Sequence, residues 1–208
     1  MIETVTRSPT LTWMERWQKI ARRIRVPLGF VAALFYVWQL FLRAPAGGMI
    51  AWSFLLVLPG LWLRAYAAGY VKKNRELTVT GPYAHTRNPL YLGSTLIAAG
   101  FALALGSWAF AVILLAGFVV IYVPVIASEE RFLRGEFAEF GSYCRVVPRL
   151  IPRFTPGRLP ATNGETGRSG KFSFALYQRH REYNSALGTA LLYGSLLLGI
   201  WLHSVHGS

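Results

Sequence analysis

Five apolar blocks with few or no charges leave this chain of 208 residues little choice of fold. They are Val26–Leu42, Met49–Tyr66, Leu90–Leu105, Trp108–Ala127 and Ala186–Leu202. A helix rises about 1.5 Å per residue, so such blocks suit a hydrocarbon core about 30 Å thick, the shortest, Leu90–Leu105, with help from its flanks. In lipid every backbone amide needs a partner, and a single run of this length finds one only as a helix. The expectation is an all-α membrane protein with about five transmembrane helices. Met1–Arg25 is polar and basic without an early apolar run, so no cleavable signal peptide is expected there.

The formal net charge of +13 raises the question of nucleic acid, and its distribution answers it. Of the 22 Lys and Arg, six precede the first block, and Arg43 alone follows it. Five (Arg64, Lys72, Lys73, Arg75 and Arg87) lie around the second connection, and Gly106-Ser107 between the third and fourth blocks has none. Ten run from Arg131 to Arg181, and none follows Leu202. This alternation is the positive-inside pattern of an odd number of spans, with the N-terminus cytoplasmic and the C-terminus outside. The basicity is thus topology first and attraction to anionic lipids second. No basic–aromatic nucleic-acid module is present, so no nucleic-acid partner is expected. Cys144, the single cysteine, cannot form an internal disulfide. His85 and His180 are isolated and His203 and His206 lie near the far end, so no metal site is expected.

The chain divides into a basic segment 1–25, a membrane core 26–153, a linker and interfacial lead-in 154–185, and an additional span and tail 186–208. Trp13, Trp17, Ile20 and Ile24 recur at helical spacing among Arg16, Lys19, Arg22 and Arg23, which suits an amphipathic interfacial helix or an ordinary positive flank. Gly106-Ser107 is so short that spans three and four must form a tight hairpin. That hairpin brings Arg87–Tyr91 level with Ser128–Glu130 on the cytoplasmic side. Ser128–Arg149 is helix-compatible, whereas Pro148 and Pro152 keep 147–153 out of a regular helix. Phe154–Ser169 reads as a flexible linker, and Lys171–Tyr183 as a basic, aromatic approach to the last span.

Two features could carry chemistry. Gly81–Gly93 packs rings, an amide and a guanidinium between two prolines just before an apolar run, and a polar segment at a membrane entrance suits a ligand site. Glu129-Glu130 is the only acidic pair at a span's end; adjacent carboxylates there need partners or water, and could anchor a cationic or hydroxyl-bearing ligand.

The series Leu77-x-x-x-Gly81-x-Tyr83, Arg87-Asn88-Pro89-x-Tyr91-x-Gly93, Glu129-Glu130-x-x-Leu133-x-x-x-Phe137 and Val147-Pro148-Arg149-x-Ile151-Pro152 resembles the isoprenylcysteine carboxyl methyltransferase family. That family is similar in turn to the phospholipid N-methyltransferases. The resemblance covers roughly 75–152 and implies an integral membrane methyltransferase using S-adenosylmethionine in a cytoplasmic pocket at the ends of spans three and four. It implies that Arg75, Glu76, Leu77 and Thr78, in a strand-like lead, line the cofactor, and that Tyr83, Asn88, Pro89, Leu90 and Tyr91 surround it. Glu129 would take its amino-acid part, with Glu130 beside it. It implies a lipid-like or prenylated acceptor entering from the bilayer, methylated on a carboxylate or an amine. No catalytic residue is assigned.

Three positions depart from the family pattern. Asn88 stands where His is commonest, Ala138 replaces a Gly, and Val125 stands where prenylcysteine enzymes carry an Arg. A membrane reductase of the sterol-reductase type is the alternative, with Arg145, Arg149 and Arg153 for the 2′-phosphate of NADPH; a scaffold with no ligand is a third reading. His85 is expected to satisfy a loop hydrogen bond, Trp38, Trp52, Trp108 and Trp201 to be interfacial or packing aromatics, and Gly93, Gly100 and Gly106 to permit close helix packing. The last span is expected either to close a lateral gate or to associate through Gly188, Gly194 and Gly199.

Overall fold

The computed structural model describes residues 31–42, 45–72, 76–157 and 170–206. The amphipathic segment Trp13–Arg25, Arg75 and most of the linker lie outside them. Among the described residues the protein is all-helical: α1 Val31–Leu42, α2 Gly47–Ala68, α3 Pro89–Leu105, α4 Trp108–Glu136, α5 Phe140–Val146, α6 Phe174–Arg179 and α7 Tyr183–His206. Three of these, α2, α4 and Tyr183–Val205 of α7, are long and apolar enough to cross a membrane, and α1 and α3 are shorter apolar helices. Only 22% of the most apolar window of each long helix is buried in protein. Trp52, Leu58, Trp62, Leu115, Leu191 and Trp201 point outward, as suits a chain whose solvent is lipid. This is a membrane protein.

The tightest pairing is α2 against α3. Gly60 and Gly93 sit back to back: a Cβ on Gly60 would lie 2.8 Å from the Gly93 carbonyl, and one on Gly93 would lie 2.7 Å from the Gly60 carbonyl. One level away, a Cβ on Gly100 would lie 2.4 Å from Val57 Cγ2. Apolar burial drives little association inside lipid, so close backbone approach supplies the dispersion contacts instead. Gly106 does something else. Its φ of 60° ends α3 in a left-handed turn with open space around it, and Ser107 then caps α4 by accepting from the Phe110 amide.

Tyr36, Val57, Phe101, Phe110, Tyr193 and Leu196 form the main core where α1, α2, α3, α4 and α7 meet. Its polar atoms are satisfied internally. The Tyr36 hydroxyl donates to the Leu192 carbonyl (2.9 Å), and the Tyr193 and Ser53 hydroxyls share a hydrogen bond of 2.6 Å. The last helix is therefore part of this bundle. Nothing packs at Gly188 or Gly194, and Gly199 faces Leu40 and Pro45 of the same chain.

The fourth helix is about 43 Å long, enough to leave the apolar zone before its charged end. At Phe118–Tyr122 it widens into one π turn. Pro124 lies just beyond, and its missing donor and bulky ring disfavour a regular α turn there. The helix stops at Glu136, earlier than the continuous stretch expected from the sequence. Phe137 turns extended and packs with Leu77, Leu133 and Val79 against Phe140, Tyr143 and Val147.

Gly60→Leu should lower stability by about 1–3 kcal/mol, because the added side chain forces the two backbones apart. Gly188→Leu, in open space, should stay within about 0.5 kcal/mol of wild type. Thermal melting of the two variants in one detergent checks both values.

Candidate functional site

At the end of the bundle where α3 begins and α4 finishes, three separated segments of sequence converge. The 3-10 turn Gly81–Ala84 opens with Gly81 at φ 60°, and leads to Asn88 at the start of α3. Two prolines shape this stretch, Pro82 inside the turn and Pro89 at the first helical position, where a missing donor costs nothing. The segment 148–157, kept out of a regular helix by its own prolines, lies alongside. Its backbone pairs with the turn three times: the Arg87 amide donates to Pro148 O (2.9 Å), Arg153 to His85 O (3.0 Å) and Gly157 to Ala84 O (2.7 Å). Side chains add to this. Asn88 Nδ2 donates to Arg149 O (2.9 Å), Thr86 Oγ1 to Leu150 O (3.0 Å) and His85 Nδ1 to Arg153 O (2.8 Å). His85 thus satisfies a loop hydrogen bond, as expected.

The carboxylate of Glu130 locks α4 onto these loops. It is buried, with Oε2 accepting from Arg149 Nε (3.0 Å) and Nη2 (2.5 Å), and Oε1 lying 3.1 Å from Arg87 Nη1. The Glu130 hydrogen bonds raise the Arg149 pKa above its ordinary value. Two buried atoms here lack hydrogen bonds: Glu130 Oε1, whose contact with Arg87 is an ion pair without hydrogen-bond alignment, and Arg87 Nε. Arg87 Nη1 also reaches Cys144 Sγ at 2.7 Å.

Glu129 is different. It is exposed, and its Oε1 accepts from the Tyr91 hydroxyl at 2.8 Å. Tyr91 meets Tyr122 edge to face at 5.3 Å, and both pack on Ile121 and Val125. Tyr83 is buried behind them. Its carbonyl accepts from Tyr143 Oη (2.7 Å), and burial first, with the nearby carboxylates of Glu129 and Glu182 adding to it, holds the Tyr83 hydroxyl well above its ordinary pKa. It therefore stays a neutral phenol.

The residues expected from the sequence fall into three groups. Asn88, Pro89, Leu90, Tyr91, Glu129 and Glu130, with Tyr83 behind them, surround this junction. Leu77 lies one layer below, in the Phe140 cluster, while Thr78 Oγ1 accepts from the Lys72 amide (3.3 Å) and Glu76 pairs with Lys72 (2.7 Å). The stretch Glu76–Thr78 has no strand partner among the described residues. None of these side chains lines either of two neighbouring cavities. One, of about 950 Å³, is an apolar cleft between α3 and α4, lined by Ala98, Ala102, Ala111, Leu114 and Ile121, with Ser94, Thr95 and Tyr122 also on its wall. The other, of about 450 Å³, lies between Trp62 and Tyr66 of α2 and Pro82, His85 and Pro152.

Residues 45–139 match the model of the phospholipid methyltransferase family. Over this stretch the chain is similar to that family. It is 36% identical over 115 residues to the cobalt-zinc-cadmium resistance protein CzcN of Cupriavidus metallidurans, covering 55% of this chain and 52% of the relative. It is also 36% identical over 102 residues to the nickel-cobalt-cadmium resistance protein NccN of Alcaligenes xylosoxydans xylosoxydans, covering 49% and 47%. The chain thus spans about half the length of the curated relatives it matches. No solved structure matches. Among the described residues no group of three His, Cys, Asp or Glu could hold a metal ion. The matched family stretch stops before Arg149, so one of the two guanidiniums on Glu130 comes from outside it.

Sequence reasoning missed two partners of the site. One is Arg149 as a ligand of Glu130. The other is the half-buried pair of Arg64 with Glu182, which no periodicity links across 118 positions. The available signal was that Glu182 is the one acidic residue in the basic, aromatic lead-in to the last span.

Glu130→Gln should destabilise the protein by about 3 kcal/mol, because Arg87 and Arg149 lose their shared counter-charge and Arg87 is mostly buried. Glu129→Gln, at an exposed position, should cost less than about 1 kcal/mol. Denaturation of both variants in detergent, followed by circular dichroism, measures the difference.

Proposed function

We propose that this chain is a member of the phospholipid methyltransferase family, an integral membrane methyltransferase that takes its methyl group from S-adenosylmethionine and acts on a lipid-like acceptor reached from the bilayer. Five spans with a cytoplasmic N-terminus are part of this reading, with the junction of α3 and α4 on the cytoplasmic side. The observation that carries it is the meeting of all four family-like motifs at one point, with a free carboxylate edge on Glu129.

The site suits the ammonium of the donor's amino-acid part. Glu129 is exposed and can accept from it. The rings of Tyr91 and Tyr122 offer π faces to a sulfonium or an adenine. S-adenosylmethionine supplies an electrophilic methyl group, and the protein's task is to hold the acceptor in line with it. An acceptor that is already an anionic carboxylate needs no base, whereas an amine must first lose its proton.

The cleft between α3 and α4 supports an apolar acceptor. It reaches Tyr122, whose ring touches Tyr91, which in turn holds Glu129. A chain lying there would have its polar end beside the carboxylate. The reductase reading has less support: Arg149 is engaged by Glu130, Arg153 by the Val146 carbonyl (2.5 Å) and Arg145 by Ser142 (3.0 Å). The metal-resistance names of the two relatives describe those proteins and leave the acceptor of this one open.

Calorimetric titration with S-adenosylhomocysteine tests the donor. Wild-type protein should bind, and Glu129→Gln should bind at least tenfold more weakly, about 1.4 kcal/mol. No binding by folded wild type at millimolar ligand overturns the donor assignment; equal binding by the variant overturns the role of Glu129.

A further inference from the structure

Arg64 lies within α2, a helix long and apolar enough to span the membrane, where a charged side chain is expensive unless paired. Its guanidinium is fully engaged. Nη2 donates to both oxygens of Glu182 (3.0 and 2.9 Å), and Nε to Glu182 Oε2 (3.2 Å) and Ser185 Oγ (3.1 Å). On its other side Nη1 donates to the Leu90 carbonyl (3.4 Å) and to Ser94 Oγ, both in the opening turns of α3. One cation therefore joins α2, the start of α3 and the residues just before α7. The stem of Arg64 crosses Gly93, where a Cβ would lie 2.7 Å from Arg64 Cγ.

The chain delivers Glu182 to this point by a built route. The Ser173 amide donates to Gly69 O (2.9 Å) and His180 Nδ1 to Ala68 O (3.0 Å), so 173–180 caps the free carbonyls at the end of α2. Phe172 fills the space that a side chain at Gly69 would need. Arg181 then adopts φ 53°, alone among the described non-glycine residues in having a positive φ, and turns the chain so that Glu182 faces Arg64. The charge of Glu182 is also felt at the Tyr83 hydroxyl, together with that of Glu129.

We propose that Glu182, from outside the family-matched stretch, is a positioning residue of the candidate site: held by Arg64, it fixes the first turns of α3, which carry Leu90, Tyr91 and Ser94. Tyr91 in turn orients Glu129, and Ser94 lines the apolar cleft. The additional C-terminal span thus completes the site. The effect on donor affinity rests on the methyl-donor reading given above, whereas the effect on α3 does not.

Two measurements on full-length protein test this. Hydrogen exchange of the amides of residues 90–95 needs no ligand, and should accelerate at least tenfold in Glu182→Gln while residues 98–105 keep their protection. S-adenosylhomocysteine affinity should fall at least fivefold in the same variant. The reversed pair Arg64→Glu with Glu182→Arg separates positioning from mere pairing. It should recover melting temperature but not affinity, since no guanidinium then lies at the Leu90 carbonyl. Unchanged exchange at 90–95 in a folded Glu182→Gln protein overturns the proposal, as does full recovery of affinity in the reversed pair. If wild type fails to bind S-adenosylhomocysteine, the donor assignment falls and the exchange result alone decides the role of Glu182.

Discussion

A carboxylate taken out of water is costly unless cations and donors surround it, and Glu130 meets that requirement with two guanidiniums from different parts of the chain. Arg87 comes from the turn before α3 and Arg149 from the irregular segment after α5. Neither loop has a hydrophobic core of its own. Glu130 draws both to the end of α4, and the three backbone hydrogen bonds between them follow from that proximity. Its neighbour Glu129 is left exposed and accepts from the Tyr91 hydroxyl, so two adjacent carboxylates have different surroundings. One ties distant segments together, and the other faces outward at the same helix end.

The second constraint is the distance between α2 and α3. Gly60, Gly93 and Gly100 let the backbones approach until carbonyls fill the space of the missing side chains. The same absence at Gly93 lets the stem of Arg64 pass and reach Leu90 and Ser94. The helix opposite is not held this way: α3 and α4 meet at the Gly106-Ser107 turn and again at Tyr91 and Tyr122, and part around the apolar cleft between. A bundle tight on one side of α3 and open on the other gives a fixed polar rim beside an adaptable apolar space.

Much of this was legible in the sequence because lipid imposes a simple rule on composition. Met49–Tyr66 became Gly47–Ala68, Leu90–Leu105 became Pro89–Leu105, and Trp108–Ala127 became the apolar part of Trp108–Glu136. The two-residue connection at Gly106-Ser107 fixed which residues of α3 and α4 share a level, and Tyr91 does meet Glu129. Other features were hidden for physical reasons. The break at Phe137 depends on a tertiary cluster, and the π turn on a proline inside an otherwise uniform apolar run. Gly106 reads like Gly93 and Gly100 in sequence, yet it makes a turn rather than a close packing contact. The partners of Arg64 and Glu130 are ion pairs between distant segments, which no local pattern encodes. Glu182 could have been flagged only as an acid out of place among basic and aromatic residues.

The account stands on methyl transfer at the junction of α3 and α4. Its most direct test is incubation of the purified protein, in native-lipid nanodiscs, with S-adenosylmethionine labelled in the methyl group, followed by organic extraction. Label should enter the extracted lipid fraction with wild type and fall at least tenfold with Glu129→Gln. Wild type that binds the donor yet leaves the lipid fraction unlabelled would contradict the claim of a lipid-like acceptor, and equal labelling by the variant would contradict the claim that Glu129 belongs to the site.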